Sequence, residues 1–247
     1  MDVIKVNDFQ KSFGAKVVHT GVTFKVKEGE CLGLIGGSGC GKSLILRSLI
    51  GLEKPDAGSI EIDGVDITNM SEEDLVDVRK KAAYVFQGGA LFDSMNVYEN
   101  LAYPLREHTK LGEKEISKRI DDMLQEFGLE GNQKIFPANL SGGMQKRLGL
   151  ARAIIIGPKI VLYDEPTAGL DPFNTKKIQD MILRLKTKGV TSILVTHDMP
   201  SAFAVCDRIA MLKNGKIVAE GTRAQIDSSH GGLLHDFING DEVSGGK

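Results

Sequence analysis

The feature that most constrains the fold is a glycine-rich segment between a predicted strand and a predicted helix. Residues 31–35 form an apolar run typical of a buried strand, and residues 42–50 have a helical pattern that Gly51 is placed to end. The segment between them matches G-x-x-x-x-G-K-[ST] with Gly36, Gly37, Ser38, Gly39, Cys40, Gly41, Lys42 and Ser43. Strand, glycine loop and helix in this order predict a phosphate-binding loop in an α/β fold.

The chemistry of this loop follows from its residue types. Glycines let successive backbone N–H groups turn toward phosphate oxygens, and the start of the helix adds partial positive charge. We expect Lys42 to reach the outer phosphates and the Ser43 hydroxyl to ligate Mg²⁺. The sequence therefore predicts a nucleoside triphosphate site.

Two carboxylates at the end of another apolar run indicate a second part of the site. Residues 160–163 predict a strand, which Asp164 and Glu165 follow directly. If both strands share a parallel sheet, the carboxylates lie beside the phosphates. Asp164 is then predicted to hold the Mg²⁺ shell and Glu165 to polarise the attacking water, a role worth about 10²–10⁴-fold in rate. The alternative is that these acids only cap the following helix.

The remaining patterns predict three regions. Residues 22–26 alternate apolar and polar, and Asp63-Gly64 indicates a hairpin, so a small antiparallel sheet is expected near the start of the chain. Ser71 and Asp74 fit a capping box for a helix that ends near residue 80. Residues 94–156 have helical spacing without strand signals. Further strands are predicted at 82–86, 159–163, 191–196, 208–212 and 216–219, and a further helix at 174–186.

Composition excludes some classes of partner. The 247 residues carry a net charge of -2, so no basic excess for binding nucleic acid is present. Cys31, Cys40 and Cys206 lack metal-ligand spacing and are expected to be reduced thiols. Charged residues, glycine and proline interrupt the longest apolar stretch, residues 151–163, so neither a signal segment nor a membrane span is expected.

A second anion site is predicted where Leu140 precedes a helix start at Ser141, Gly142, Gly143 and Met144. With Gln87, the segment 168–171 and the segment 196–198 in the expected order, the chain resembles the ATPases of ABC transporters over nearly its whole length. That resemblance implies a RecA-like α/β core with an antiparallel β subdomain and an inserted helical subdomain. The corresponding boundaries are 1–88 and 157–230 for the core, 89–156 for the helical subdomain and 231–247 for a C-terminal tail.

The resemblance also implies roles for residues that the local pattern does not assign. Ser141 and its neighbours would bind the γ-phosphate of ATP held by the opposite subunit, which implies a homodimer. Asp171 would belong to the D-loop, Gln87 would ligate Mg²⁺, and His197 would contact the γ-phosphate and orient Glu165. Phe13, ahead of the first glycine turn, would stack on adenine with Val18 nearby.

One position departs from the family pattern. Most relatives have a second hydroxyl residue after the lysine and serine, whereas Leu44 stands here. One hydrogen bond to the α-phosphate is therefore expected to be missing, at a cost of about 0.5–1.5 kcal/mol.

Within the family, residues 86–95, the methionine of LSGGM, residues 163–172 and the tail segment 237–240 resemble the Mla/MCE lipid-transport ATPases. This implies an MlaE-like permease at the cytoplasmic face of the bacterial inner membrane, an MCE-domain lipid-binding protein and, in some systems, a STAS-domain protein. The alternatives are a transporter for another substrate, such as polar amino acids, and an ABC ATPase without a transport role. The apolar run Ala90-Leu91-Phe92 fits either a groove for a permease helix or buried helix packing.

Overall fold

The computed structural model describes residues 1–228 and Leu234. In chain order the strands are β1 (Asp2–Phe13), β2 (Lys16–Lys27), β3 (Cys31–Ile35), β4 (Ala57–Ile62), β5 (Val65–Asp66), β6 (Ala82–Val85), β7 (Ile160–Asp164), β8 (Thr191–Val195), β9 (Arg208–Lys213) and β10 (Lys216–Thr222). The helices are α1 (Lys42–Leu49), α2 (Glu72–Lys81), α3 (Val97–His108), α4 (Glu113–Phe127), α5 (Gly142–Ile154), α6 (Pro172–Thr187), α7 (Met199–Val205) and α8 (Arg223–Ser228).

The larger sheet has the strand order β10-β9-β3-β8-β7-β6 and is parallel except for β10. Every residue of β3, β7 and β8 is buried, as expected for strands covered on both faces. Only β8 separates β3 from β7, so the carboxyl ends of these two strands lie at the same edge of the sheet. The two strands therefore share one parallel sheet, which was the condition for Asp164 and Glu165 to lie beside the glycine loop.

The smaller sheet is antiparallel, with the order β2-β1-β4-β5. Asp63 and Gly64 join β4 to β5 with φ angles of 51° and 79°, which confirms the predicted hairpin. Apolar residues of β1, β2 and β4 share one hydrophobic cluster with α1 and the larger sheet. The N-terminal sheet is thereby fixed against the helix that follows the glycine loop.

The helices α3, α4 and α5 form the region predicted from helical spacing. Their buried faces, which include Leu101, Ile120 and Leu148, share a second cluster with β6 and β7. Side-chain caps begin two of these helices, since Asn96 Oδ1 accepts from the N–H of Glu99 and Ser141 Oγ accepts from the N–H of Met144. The α/β fold with an antiparallel sheet and an inserted helical region is confirmed.

Several details differ from the sequence predictions. The strand predictions at 82–86, 159–163 and 191–196 are each shifted by a residue at one or both ends, α6 begins at Pro172, and α7 was not predicted. Ser71 caps α2, but the Asp74 carboxylate accepts from the Ser71 hydroxyl at 2.7 Å, since Asp is one methylene shorter than the Glu of a capping box. The predicted tail, 231–247, lies outside the described residues except for Leu234.

The apolar run at residues 90–92 lies in a loop that packs in part against the helices. Ala90 and Phe92 are exposed, whereas Leu91 packs against the helical cluster. Phe92 packs edge-on against Tyr103, with ring centroids 5.3 Å apart, and the Arg152 guanidinium lies 4.7 Å from the Phe92 ring centre. No helix among the described residues is both long and apolar enough to cross a bilayer.

Candidate active site

The glycine loop leaves β3 through a backbone that only glycine tolerates at two positions. Gly36 has φ 157°, and a Cβ there would lie 2.4 Å from the Leu212 carbonyl oxygen. Gly41 has φ 95°, and a Cβ there would lie 2.6 Å from the His19 ring. Glycine is therefore required at these two positions by backbone conformation and by neighbouring strands at the same time.

Lys42 and Ser43 begin α1 directly after this loop. The Lys42 side chain turns back across the loop, and its Nζ donates to the carbonyl oxygens of Gly36 at 2.9 Å and Gly37 at 3.0 Å. Lys42 is 8% exposed, so its charge is held against the loop rather than in bulk solvent. A bound phosphate would replace these carbonyl acceptors with a full negative charge.

Asp164, at the end of β7, faces the start of α1. Its Oδ1 accepts a hydrogen bond from Ser43 Oγ at 2.7 Å, and its Oδ2 accepts one from the Tyr84 hydroxyl at 2.7 Å. Burial, together with the hydrogen bond to Asp164, raises the pKa of Tyr84 well above its ordinary value, so the hydroxyl stays a donor. Hydroxyl and carboxylate oxygens side by side are the donor set that Mg²⁺ prefers.

Glu165 adopts a backbone conformation that is uncommon for a side-chain-bearing residue. Its φ is 49°, and its N–H donates to the carbonyl of Val195 on β8 at 2.9 Å. His197 Nδ1 lies 2.9 Å from Glu165 Oε1, and the His197 backbone N–H donates to Oε2 at 3.4 Å. Because a carboxylate only accepts, Nδ1 of the His197 ring is the donor in this contact. Backbone strain held by surrounding structure is typical of functional sites.

One cleft with a volume of about 390 Å³ brings the glycine loop together with Glu165 and His197, while Asp164 lies behind it and is hydrogen-bonded to the lining residue Ser43. Its lining consists of Ser38, Gly39, Gly41, Lys42, Ser43, Leu44, Arg47, Gln87, Glu165 and His197. Arg47 was not predicted from the sequence, although its position one helical turn after Ser43 places it on the same face of α1. Neither Asp164 nor Glu165 caps a helix, because Asp171 is the N-cap of α6.

The two residues predicted to contact adenine lie on β1 and β2, and neither lines the cleft. Phe13 is 50% exposed, and Val18 would touch a Cβ at Gly41. His19 was missed by the sequence analysis: it is 1% exposed, and its Nε2 donates to the Gly41 carbonyl at 3.2 Å. Burial lowers the pKa of His19, against a smaller opposite effect of that hydrogen bond. The imidazole therefore supports the loop as a neutral donor.

The second predicted anion site is not part of this cleft. Ser141, Gly142, Gly143 and Met144 form the start of α5, where Ser141 Oγ accepts from the Met144 N–H at 3.3 Å. Asp171 likewise does not line the cleft and instead accepts from the backbone of Asn174 at 3.0 Å. Within one chain, the structure groups the glycine loop with Asp164, Glu165 and His197. The helices that Ser141 and Asp171 cap are joined separately, by a hydrogen bond between Arg147 and Asn174.

A glycine loop on a parallel sheet, with a buried carboxylate bonded to the helix start and a second carboxylate bonded to a histidine, defines a phosphate-loop nucleoside triphosphatase. Comparison with known proteins narrows this class. The family model described as ABC transporter matches residues 19–168. A dimeric ATP-binding cassette solved in a post-hydrolysis state with ADP and Pi has a TM-score of 0.83 and 32% identity, and covers 89% of this chain and 98% of that chain.

Curated relatives span several transport systems. The "Probable ribonucleotide transport ATP-binding protein mkl" of Mycobacterium leprae is 43% identical over 97% of this chain and 70% of that protein. The methionine import ATP-binding protein MetN of Carboxydothermus hydrogenoformans is 41% identical over 81% of this chain and 59% of that protein. The intermembrane phospholipid transport ATP-binding protein MlaF of Escherichia coli is 36% identical over 97% of this chain and 89% of that protein. The chain belongs to the ABC transporter family and is one of its ATPases.

Proposed function

We propose that the chain powers a transporter that moves phospholipid or another lipid between bacterial membranes. The observation that carries the proposal is the extent of the match to MlaF of Escherichia coli, which covers 97% of this chain and 89% of that protein. The other relatives extend further beyond the matched region, since the chain covers 70% of the ribonucleotide-named protein and 59% of the methionine importer. The loop at residues 86–95 and the LSGGM segment agree with the same assignment.

A second candidate function is supported by sequence identity. The relatives named for ribonucleotide and methionine transport are 43% and 41% identical, above the 36% of the phospholipid relative. These values favour an ABC ATPase of the same kind that acts with a permease for a polar solute. The two candidates differ in partners and cargo, not in the chemistry of the site.

The permease partner would dock on the exposed apolar loop. Ala90 and Phe92 are exposed beside Tyr103, and the Arg152 guanidinium covers one face of the Phe92 ring. Such a surface suits the apolar side of a short helix. In this proposal the partner is an MlaE-like permease at the cytoplasmic face of the inner membrane, with an MCE-domain protein and in some systems a STAS-domain protein in the same complex.

The proposed chemistry assigns one task to each group of the cleft. The loop N–H groups and Lys42 hold the phosphates, and Ser43, Asp164 and Gln87 supply the oxygen ligands for Mg²⁺. Bound Mg²⁺ would neutralise charge on the phosphate oxygens. Glu165, oriented by His197 at 2.9 Å, takes the proton of the attacking water. Phe13 and Val18 contact the adenine, with modest selectivity because stacking accepts any purine.

The site is completed by a second copy of the chain in this proposal. Two copies close head to tail, so that Ser141, Gly142, Gly143, Met144 and Asp171 of one copy face the ATP held by the other. ATP binds the closed dimer better than the open one, and this difference in affinity shifts the permease between its states. The absence of these residues from the cleft of the single chain agrees with that arrangement.

Glu165→Gln tests the mechanism because the amide cannot accept the proton of water. We expect this variant to accumulate an ATP-dependent dimer by size-exclusion chromatography, whereas Glu73→Gln, an exposed acid on α2, should behave as wild type. A monomer with normal ATP turnover would refute the mechanism.

The cargo is tested separately by purifying the chain with its membrane partners and identifying bound small molecules by mass spectrometry. Phospholipid together with an MCE-domain protein supports the first candidate, and a polar solute without that protein supports the second.

A further inference from the structure

One amide side chain joins the start of α5 to the start of α6. Asn174 Oδ1 accepts a hydrogen bond from Arg147 Nη1 on α5 at 2.7 Å. Asn174 Nδ2 donates to Asp171 Oδ2 at 2.5 Å, and the Asn174 N–H donates to Asp171 Oδ1 at 3.0 Å. Asn174 therefore bonds both to the helix that Ser141 caps and to the residue that caps its own helix.

The packing of this amide leaves little freedom between the two helices. Gly143 and Arg147 are four residues apart and lie on one face of α5. A Cβ at Gly143 would lie 2.6 Å from Asn174 Cγ, so the glycine allows the amide to rest directly on the first turn. Asn174 thus contacts the first turn of α5 through Gly143 and the second through Arg147.

Arg147 depends on this contact. It is 6% exposed, and within residues 1–228 Asn174 is its hydrogen-bond acceptor. Its buried Nε has no hydrogen-bond partner there. A buried guanidinium without an acceptor strongly destabilises the folded state. A substitution at Asn174 must therefore displace Arg147 or expose it to solvent. Lys146 Nζ, which donates to the Ala168 carbonyl, adds a second bond between α5 and the loop that leads to Asp171.

We propose that Asn174 is a positioning residue that holds Ser141 and Asp171 as one unit, so that both are presented together to the ATP bound by the partner subunit. This inference rests on the head-to-tail dimer proposed above. Within residues 1–228, the side-chain hydrogen bonds of Asn174 go to Arg147 and Asp171, neither of which lines the cleft of its own chain, so its effect on nucleotide is expected at the opposite site.

Mixed dimers test this by placing the substitution in one chosen subunit. Both copies carry Glu165→Gln to prevent hydrolysis, one copy carries Lys42→Ala, and two affinity tags isolate the mixed species. The single working site then combines the loop of the intact copy with α5 of the Lys42→Ala copy. Asn174→Ala is added to either copy, and the release rate of labelled ATP is measured for each dimer.

We expect ATP release to become about tenfold faster when Asn174→Ala is in the Lys42→Ala copy, since the charge-assisted hydrogen bond between Arg147 and Asn174 is lost. Release should stay at the reference rate when the substitution is in the other copy. Equal acceleration in both dimers, or acceleration only in the second, would overturn the inference, because Asn174 would then act through its own chain.

Two further sets of variants exclude simpler explanations. Asn174→Asp keeps the size of the side chain and the acceptor for Arg147 but opposes the Asp171 carboxylate, so it should fold and show the same dependence on subunit. Thr175→Ala, one position along α6, should leave ATP release unchanged.

Ser141→Ala in the same pair of dimers separates the two proposals. If the effect of Ser141→Ala does not depend on which subunit carries it, the head-to-tail dimer fails. If only the effect of Asn174→Ala is independent of the subunit, this inference alone fails.

Discussion

The hydroxyl of Tyr84 offers a sharp test of how the site holds its metal. It donates to Asp164 Oδ2 at 2.7 Å, while Ser43 occupies the other carboxylate oxygen at 2.7 Å. Tyr84→Phe removes this donor and keeps the ring, which packs on Phe86 with centroids 4.3 Å apart. The substitution therefore changes the orientation of the Asp164 carboxylate without opening a cavity in the sheet.

The magnitude follows from the kind of bond that is lost. A hydrogen bond to a charged group contributes about 1.5–3 kcal/mol, and water from the cleft can replace part of it. Groups that orient a metal ligand typically change metal affinity by about 10–100-fold when removed. We therefore expect the Mg²⁺ concentration for half-maximal ATPase activity to rise about tenfold in Tyr84→Phe.

The assay is a Mg²⁺ titration of steady-state ATPase activity at a fixed, saturating ATP concentration. Binding of a fluorescent ATP analogue in EDTA is the control, and it should not change, because Tyr84 does not line the nucleotide cleft. Thermal unfolding of both proteins checks the fold. An unchanged Mg²⁺ midpoint, or an equal loss of nucleotide binding in EDTA, would refute the assignment of Tyr84 as the residue that orients Asp164.

Three other predictions follow from the loop and its base. Leu44→Thr should tighten ATP binding about 2- to 12-fold by supplying a hydroxyl, and equal Kd values for Leu44→Thr and for Leu44→Val, whose side chain has the shape of threonine without the hydroxyl, would contradict this. Gly41→Ala should abolish ATP binding, since its Cβ would meet the His19 ring at 2.6 Å, whereas Gly39→Ala has open space and should lose less in the same binding assay. His19 has a folded-state pKa below its unfolded value of about 6.5, so the unfolded chain binds the extra proton and stability should fall as the pH drops below about 6.5. The free energy of unfolding, measured in urea at pH 7.5 and 5.5, should therefore fall less for His19→Leu than for wild type. His108→Gln, at an exposed histidine, is the control, and an equal fall in all three proteins would contradict the prediction.

The order of elements around the loop could be predicted because it is encoded locally. Apolar runs, glycines and a helical pattern within about twenty residues specify strand, loop and helix, and the same applies to β7 and its terminal acids. Bounds shifted by one to three residues in the larger sheet, as where β10 ends at Thr222, because helix and strand ends are set by hydrogen bonds that periodicity does not show. The helix α7 was missed because it has only seven residues and begins two residues after His197.

The contacts that complete the site come from strand register and helix packing. Tyr84 pairs with Leu162 across β6 and β7, so it shares a face with Asp164 two residues further along, and nothing in the residues near Tyr84 indicates this. His19 and Gly41 meet because β2 passes behind the loop, and Arg147 meets Asn174 because α5 and α6 begin side by side. Each pair depends on distant segments, which no local pattern reports.

The sequence by itself determined the class of chemistry, since the glycines, Lys42, Ser43 and the paired acids have their meaning within short segments whose conformation is local. Tertiary structure decided which groups act together: it brought Glu165 to His197 and Asp164 to Ser43 and Tyr84, and it kept Ser141 out of the same cleft. The physical reason is that backbone conformation is set over a few residues, whereas hydrogen bonds between side chains are set by the register of the parallel sheet and by the packing of helices against it.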